Sequence, residues 1–118
     1  MLSAWIDDGY TETGRLEAIP RLMPELTFTF RPMTRDELAG FAAQHKNADE
    51  KAYARGVAER LAVKITQWSL TKPDGTAVPV TADNLLRLKN IPFQRLHEIV
   101  FGHAVTDEEK READAKNS

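Results

Sequence analysis

The histidines are the residues best suited to chemistry, and their spacing fits neither a catalytic site nor a metal site. His45, His97 and His103 are the only histidines in the chain. A zinc-binding helix carries two histidines four positions apart together with a further ligand, whereas His97 and His103 are six positions apart. Glu98 points in a different direction from His97 on a helix, so the two are not a prepared acid–base pair. We interpret the three histidines as solvated surface side chains.

The serines and acidic residues give no stronger chemical signal. Ser3, Ser69 and Ser118 are the only serines, and none lies in a Gly-x-Ser-x-Gly motif. Asp7 and Asp8 could hold a hard cation, but the spacing of an EF-hand is absent. The sequence also lacks a glycine-rich phosphate loop. We therefore expect no enzyme activity, no cofactor and no metal.

Length and composition predict one globular domain with a balanced charge. The 118 residues are 42% hydrophobic and 29% charged, with a formal net charge of −2, which does not favour binding to nucleic acid or membranes by bulk electrostatics. No apolar run approaches the roughly 18 residues of a membrane span. The chain has no cysteine, and its start lacks the pattern of a signal peptide. We expect a cytoplasmic location.

Arginines interleaved with aromatic side chains near the N-terminus keep a nucleic-acid-binding interpretation open. Such a pattern can bind single strands. The arginines are Arg15, Arg21, Arg31 and Arg35, and the aromatic residues are Tyr10, Phe28 and Phe30. Neighbouring acidic residues offset this charge: Glu12, Glu17, Glu25, Asp36 and Glu37.

The elements that would position these residues centre on residues 53–75. Apolar side chains recur there at helical spacing, which predicts one buried stripe: Ala54, Val57, Ala58, Leu61, Ile65 and Trp68. We expect this helix to end with a buried Trp68 and to be followed by a tight turn at Lys72–Pro73–Asp74–Gly75. Residues 77–80 could then pair briefly with residues 68–70.

A strand hairpin is predicted before this central helix. Leu26, Phe28 and Phe30 alternate with polar residues, which is typical of a half-buried strand. Residues 10–18 form a weaker partner strand, with Leu16 and Ala18 on one face, and residues 19–24 connect the two.

Helix signals flank the central helix on both sides. Thr34 and Glu37 form a capping box that opens a helix ending near Asn47. Thr81 is a candidate N-cap for a helix that ends at Asn90, Pro92 suits the first position of the next helix, and Gly102 suits its end.

The resulting fold class is α+β: an N-terminal antiparallel β-hairpin followed by a small bundle of about four helices. Residues 1–104 should form a single α+β domain, and residues 105–118 an exposed helical or flexible acidic tail. Several apolar side chains lie outside the helical stripes and either pack onto the core or form a partner-binding surface: Trp5, Ile6, Tyr10, Leu22 and Met23.

The order of these features over residues 26–102 resembles the small tail assembly chaperones of long-tailed bacteriophages and prophages. The segments that carry the resemblance are Phe28–Glu37, Ile65–Trp68, Pro73–Gly75, Val78–Thr81, Asn84–Leu86 and Leu96–Gly102. The resemblance implies a non-catalytic protein that binds the tape measure protein and the tail tube protein in the cytoplasm of a bacterial host. Such a protein keeps aggregation-prone helices soluble and is absent from the finished virion. A minor structural protein of the phage tail or neck, and a small nucleic-acid-binding regulator, remain as alternatives.

Overall fold

The computed structural model describes residues 4–103 and contains a three-stranded antiparallel sheet with four helices in that range. The elements are β1 (Glu12–Leu16), β2 (Leu26–Phe30), α1 (Arg35–Gln44), α2 (Glu50–Lys64), β3 (Ile65–Trp68), α3 (Ala82–Leu85) and α4 (Asn90–Val100). The α+β class, with its N-terminal hairpin, is confirmed, and a third strand joins the sheet in the order β1-β2-β3.

The β1–β2 hairpin follows the predicted alternation. Phe28 and Phe30 of β2 are buried, whereas Thr27 is exposed on the other face. Gly14 of β1 lies opposite Phe28. β1 is shorter than predicted: it ends at Leu16, which is buried, and Ala18 beyond it is exposed.

The prediction that the central helix continues to Trp68 is wrong. α2 ends at Lys64, and the following residues form β3 along the free edge of β2. β-branched Ile65 and Thr66 are better suited to a strand than to a helix. The backbone N–H of Arg31 donates to the carbonyl of Lys64 at 2.8 Å, so strand pairing begins where the helix ends.

A β-bulge in β3 explains why its sequence looks helical. Ile65 lies opposite Phe30 and Gln67 opposite Thr29, which leaves Thr66 as the extra residue. The bulge allows Ile65 and Trp68 to share the core face although they are three positions apart. Spacing of three is typical of a helix, so a bulged strand produced the same pattern.

Trp68 is half-buried rather than buried. It packs against the core, and its indole N–H donates to the carbonyl of Val78 at 2.6 Å. The brief pairing predicted after the turn is confirmed by the bond from the Val78 N–H to Leu70 O at 3.1 Å, and the turn by Gly75, whose N–H donates to Lys72 O at 2.8 Å.

The start of each of the first two helices is capped as their residue types suggest. The hydroxyl of Thr34 accepts from the Glu37 N–H at 3.2 Å, and the Glu37 carboxylate accepts from the Thr34 N–H at 3.0 Å, so the capping box is confirmed. Asp49 is the N-cap of α2 and accepts from the Ala52 N–H at 2.8 Å. α1 ends at Gln44, earlier than predicted, and Asn47 does not take the left-handed conformation expected of it.

The last two helices divide differently from the prediction. Thr81 caps α3 as expected, but α3 ends at Leu85, and Asn90 opens α4 instead of closing α3. Pro92 is therefore the third residue of α4 and not its first. Gly102, with φ +82°, ends the helix as predicted, because its N–H and that of His103 bond back to carbonyls of the last turn.

One hydrophobic core joins the inner sheet face to the helices. The largest fully buried side chains come from β1, β2 and three helices: Leu16, Phe28, Val57, Leu61, Leu85, Leu96 and Val100. The predicted acidic tail, residues 105–118, lies outside the described residues.

Candidate partner-binding surface

The connection between β1 and β2 is a defined turn, which we call the apolar loop (residues 18–24). Ile19 and Met23 pair as an antiparallel bridge, with the Ile19 N–H donating to Met23 O at 2.9 Å. The Leu22 N–H donates to Ile19 O at 3.0 Å and closes a β-turn, with Pro20 in its second position. Arg21 occupies the third position with φ +67°, a left-handed conformation that is uncommon for a residue other than glycine, asparagine or aspartate.

One side-chain contact closes the base of the apolar loop, and a second connects its tip to another element. At its base, the guanidinium of Arg15 in β1 lies 3.3 Å from the carboxylate of Glu25. At its tip, the ammonium of Lys89 donates to the carbonyl of Leu22. Lys89 is the N-cap residue of α4, so the loop is fastened to the start of that helix.

The apolar loop forms an open, shallow depression of about 410 Å³ lined by its own residues. Ile19 is 38% exposed, and Leu22 and Met23 are half-buried. Met23 also packs against the core. The loop thus presents apolar side chains on a fixed backbone, an arrangement that lowers the entropy cost of binding.

The N-terminal segment carries the other predicted partner-binding residues. Trp5 is 70% exposed, and its indole N–H donates to the Asp7 carboxylate. Ile6 is 38% exposed. Tyr10 is half-buried, and its backbone N–H donates to Asp7 O at 3.0 Å across a turn that contains Gly9 at φ +77°.

The topology separates the five predicted residues into two groups. Trp5, Ile6 and Tyr10 precede β1, at the end where Glu12 pairs with Phe30. The apolar loop with Leu22 and Met23 leaves β1 from its opposite end. β1 has five residues, which at about 3.3 Å per residue separates the two ends by about 15 Å.

Sequence reasoning placed Ile19 and Arg21 in the connection between the strands, but it did not include Ile19 among the partner-binding candidates. Pro20 and Pro24 signalled a turn, but the left-handed backbone fell on Arg21, which carries no local signal for it. Further apolar side chains are exposed on the helices or directly after them: Tyr53 and Val63 of α2, Leu86 after α3, and Ile91 of α4. Val63 is the most exposed of these, at 71%.

The described residues contain neither a candidate metal site nor a candidate membrane span. Within residues 4–103, no group of three or more histidine or acidic side chains is arranged to hold a metal ion. In the same range, no helix combines the length and apolar character needed to cross a bilayer.

Comparison of the chain with protein-family models, with curated proteins and with solved structures gives no match.

Proposed function

We propose that this protein is a non-catalytic phage tail assembly chaperone that binds the tape measure protein and the tail tube protein in the bacterial cytoplasm. The resemblance over residues 26–102 supports the family. The observation that supports a binding role is the apolar loop, which presents Ile19 and Leu22 on a backbone fastened by Lys89.

The chemistry of the apolar loop suits an apolar, helical segment of a partner. Helix-in-groove recognition uses a few apolar anchors in a shallow depression, and Ile19, Leu22 and Met23 supply such a lining. Aromatic anchors carry much of the energy in protein interfaces, which makes Trp5 and Tyr10 the second candidate contact. The bound chaperone would cover the long apolar helices of a tape measure protein and thereby keep that protein soluble.

The test is co-expression of the full chain with the tape measure protein of the same phage or prophage, with the soluble fraction of the tape measure protein as the readout. Wild type should raise that fraction. Ile19→Ala with Leu22→Ala should abolish the effect if the apolar loop is the contact, and Trp5→Ala with Tyr10→Ala should abolish it if the N-terminal segment is. Val63→Ala is the control, because Val63 belongs to α2 and to neither segment, and its side chain is 71% exposed.

Each variant is also unfolded in urea, so that loss of binding is separated from loss of folding. A variant that no longer unfolds cooperatively assigns its residues to the core. If wild type neither binds nor solubilises the tape measure protein, the chaperone proposal fails. Mass spectrometry of purified virions then tests the alternative of a minor tail or neck protein, which would remain in the particle.

A nucleic-acid-binding role is weakened by the pairing of Arg15 with Glu25 at 3.3 Å. That ion pair engages one of the arginines on which the interpretation depends. A salt-dependent mobility shift with single-stranded DNA or RNA would support a nucleic-acid-binding role, because phosphate contacts release counterions.

A further inference from the structure

All three histidines of the chain belong to one group of rings, and two of them, His45 and His97, are not the solvated surface side chains that we expected. We call the group the aromatic–histidine cluster, and it consists of Phe41, His45, Tyr53, His97, Phe101 and His103. His45 and His97 are half-buried, and only His103 is exposed. The cluster joins the end of α1, the first turns of α2 and the end of α4.

Ring contacts connect these helices in sequence. Phe41 of α1 packs edge-on against Phe101, with 5.0 Å between ring centroids, and against Tyr53 of α2 at 5.7 Å. His97 of α4 lies between two of these rings, 4.5 Å from Phe101 and 6.1 Å from Tyr53. A change at His97 therefore reaches both neighbouring helices through two aromatic side chains.

His45 is held firmly on the α1 side. Its ring stacks on Phe41 at 4.2 Å, and its Nδ1 lies 2.9 Å from the Phe41 carbonyl, a contact that requires a proton on Nδ1. The ring also lies against the backbone of α2, since a Cβ added to Gly56 would be 2.2 Å from His45 Nε2. Gly56 thus gives the His45 ring its space between α1 and α2.

The electrostatic surroundings of His97 favour its neutral form. Burial lowers the pKa of His97 below 6.5, and the positive charge of nearby His103 lowers it further, while Glu98 on the same helix acts in the opposite direction. Tyr53 is the titratable group that faces His97 from α2, and His45 of α1 lies beyond it, 6.3 Å from Tyr53.

We propose that the aromatic–histidine cluster is a pH-responsive latch that holds the end of α4 against α1 and α2 at neutral pH and releases it on acidification. When a proton from solvent adds to the free ring nitrogen of His97, the imidazolium is better hydrated outside the cluster. Its departure removes the contacts with Tyr53 and Phe101. Phe101 also packs on Phe41 of α1. Loosening of Phe101 therefore weakens the contact between the last turn of α4 and α1.

The direction with pH follows from linkage. A histidine whose pKa is lower in the folded state binds fewer protons there than in the open state, so its stabilising contribution is complete above pH 6.5. That contribution is lost as the pH falls from 6.5 through the folded-state pKa of His97. The latch acts within the chain itself and does not depend on the proposed partner.

The test is an NMR titration of the full chain from pH 8 to pH 5, combined with amide hydrogen exchange. The His97 ring should titrate with a midpoint below 6.5. Over the same range, protection of the Phe101, Gly102 and His103 amides, corrected for intrinsic exchange, should fall by about tenfold for each pH unit by which that midpoint is lowered. The Thr29 amide in the sheet should keep its protection.

Two variants separate the latch from a general loss of stability. His97→Phe keeps an aromatic ring without a titrating nitrogen, and protection at the end of α4 should then be independent of pH in this range. His103→Gln should move the His97 midpoint upward, and it tests the coupling even if His97→Phe does not fold. The proposal is overturned by a His97 midpoint at or above 6.5, by an unchanged pH response in a folded His97→Phe variant, or by parallel loss of protection at Thr29.

Discussion

Gly14 is required because the ring of Phe28 occupies the place of its side chain. A Cβ at position 14 would lie 2.4 Å from Phe28 Cζ, and Phe28 is 2% exposed and packed against Phe30, so its ring has little room to move. We expect Gly14→Ala to lower the free energy of unfolding by about 1–3 kcal/mol through overpacking, as measured by urea unfolding.

Gly40 supplies the matched control for Gly14→Ala. It lies in α1, and a Cβ there would meet nothing within 4 Å. Gly40→Ala should therefore raise the free energy of unfolding by up to about 1 kcal/mol, because alanine has the higher helix propensity. Equal effects of the two substitutions would show that the Phe28 ring can move aside.

Arg21 holds a backbone conformation that glycine would adopt more easily. Its φ of +67° costs about 1–2 kcal/mol for a residue with a Cβ. We expect Arg21→Gly to raise the free energy of unfolding by up to about 1 kcal/mol, since the greater unfolded-state entropy of glycine offsets part of the gain. A destabilised variant would mean that the Arg21 side chain makes stronger contacts than its backbone strain costs.

If the strain at Arg21 is retained for binding, stability and binding should change in opposite directions. In the co-expression experiment, Arg21→Gly should then solubilise less tape measure protein while unfolding at a higher urea concentration. Unchanged solubilisation would restrict the role of Arg21 to the turn itself.

At the scale of secondary-structure elements, the register of β2 and β3 predicts different outcomes for two single-residue deletions. Deleting Thr66 leaves Ile65 opposite Phe30 and Gln67 opposite Thr29, so the core face is preserved. Deletion of Thr66 should lower the free energy of unfolding by about 0.5–1.5 kcal/mol, which is the contribution of the hydrogen bond from the Thr66 hydroxyl to Thr29 O. Deleting Thr29 instead should abolish cooperative unfolding, because Phe30 would turn outward. Circular dichroism during urea unfolding distinguishes the two.

The Lys64–Glu37 ion pair connects the end of α2 to the first turn of α1. The two charged groups lie 2.6 Å apart, with side-chain exposures of 11% and 32%. We expect Lys64→Met to lower the free energy of unfolding by about 1.5–3 kcal/mol, the range for hydrogen bonds to charged groups. Adding Glu37→Gln should recover part of the loss, since it removes the unpaired carboxylate. A double-mutant cycle measured by urea unfolding gives the coupling energy between the two side chains. If the two substitutions have additive effects on the free energy of unfolding, the side chains are not coupled.

The features that were predicted correctly from the sequence are those that depend only on nearby residues. The capping box at Thr34, the turn at Gly75 and the helix end at Gly102 all depend on hydrogen bonds within a few residues, and all three are confirmed. β3 was missed because its strand character depends on the free edge of β2, far away in the chain. The gathering of the histidines was missed for the same reason, since it depends on where helix ends meet.

The molecule as a whole should lose stability in acid partly through Glu37. Burial would raise the pKa of the Glu37 carboxyl, but the hydrogen bonds from Lys64 and Thr34 outweigh it and hold the pKa below 4.5. A lowered acidic pKa stabilises the fold fully at neutral pH, and that contribution is lost as the pH falls from 4.5 through the folded-state value. Urea midpoints between pH 6 and pH 3 should fall less steeply in Lys64→Met than in wild type. Parallel curves would show that Lys64 does not lower this pKa.

The bond between Lys89 and the carbonyl of Leu22 spans 67 residues and has a consequence in time as well as in space. A ribosome that has just added Leu22 must still add 67 more residues, the last of which is Lys89. The apolar loop on a nascent chain therefore lacks the contact that fastens its tip. A partner that requires the fastened loop can therefore be bound only after Lys89 has been added.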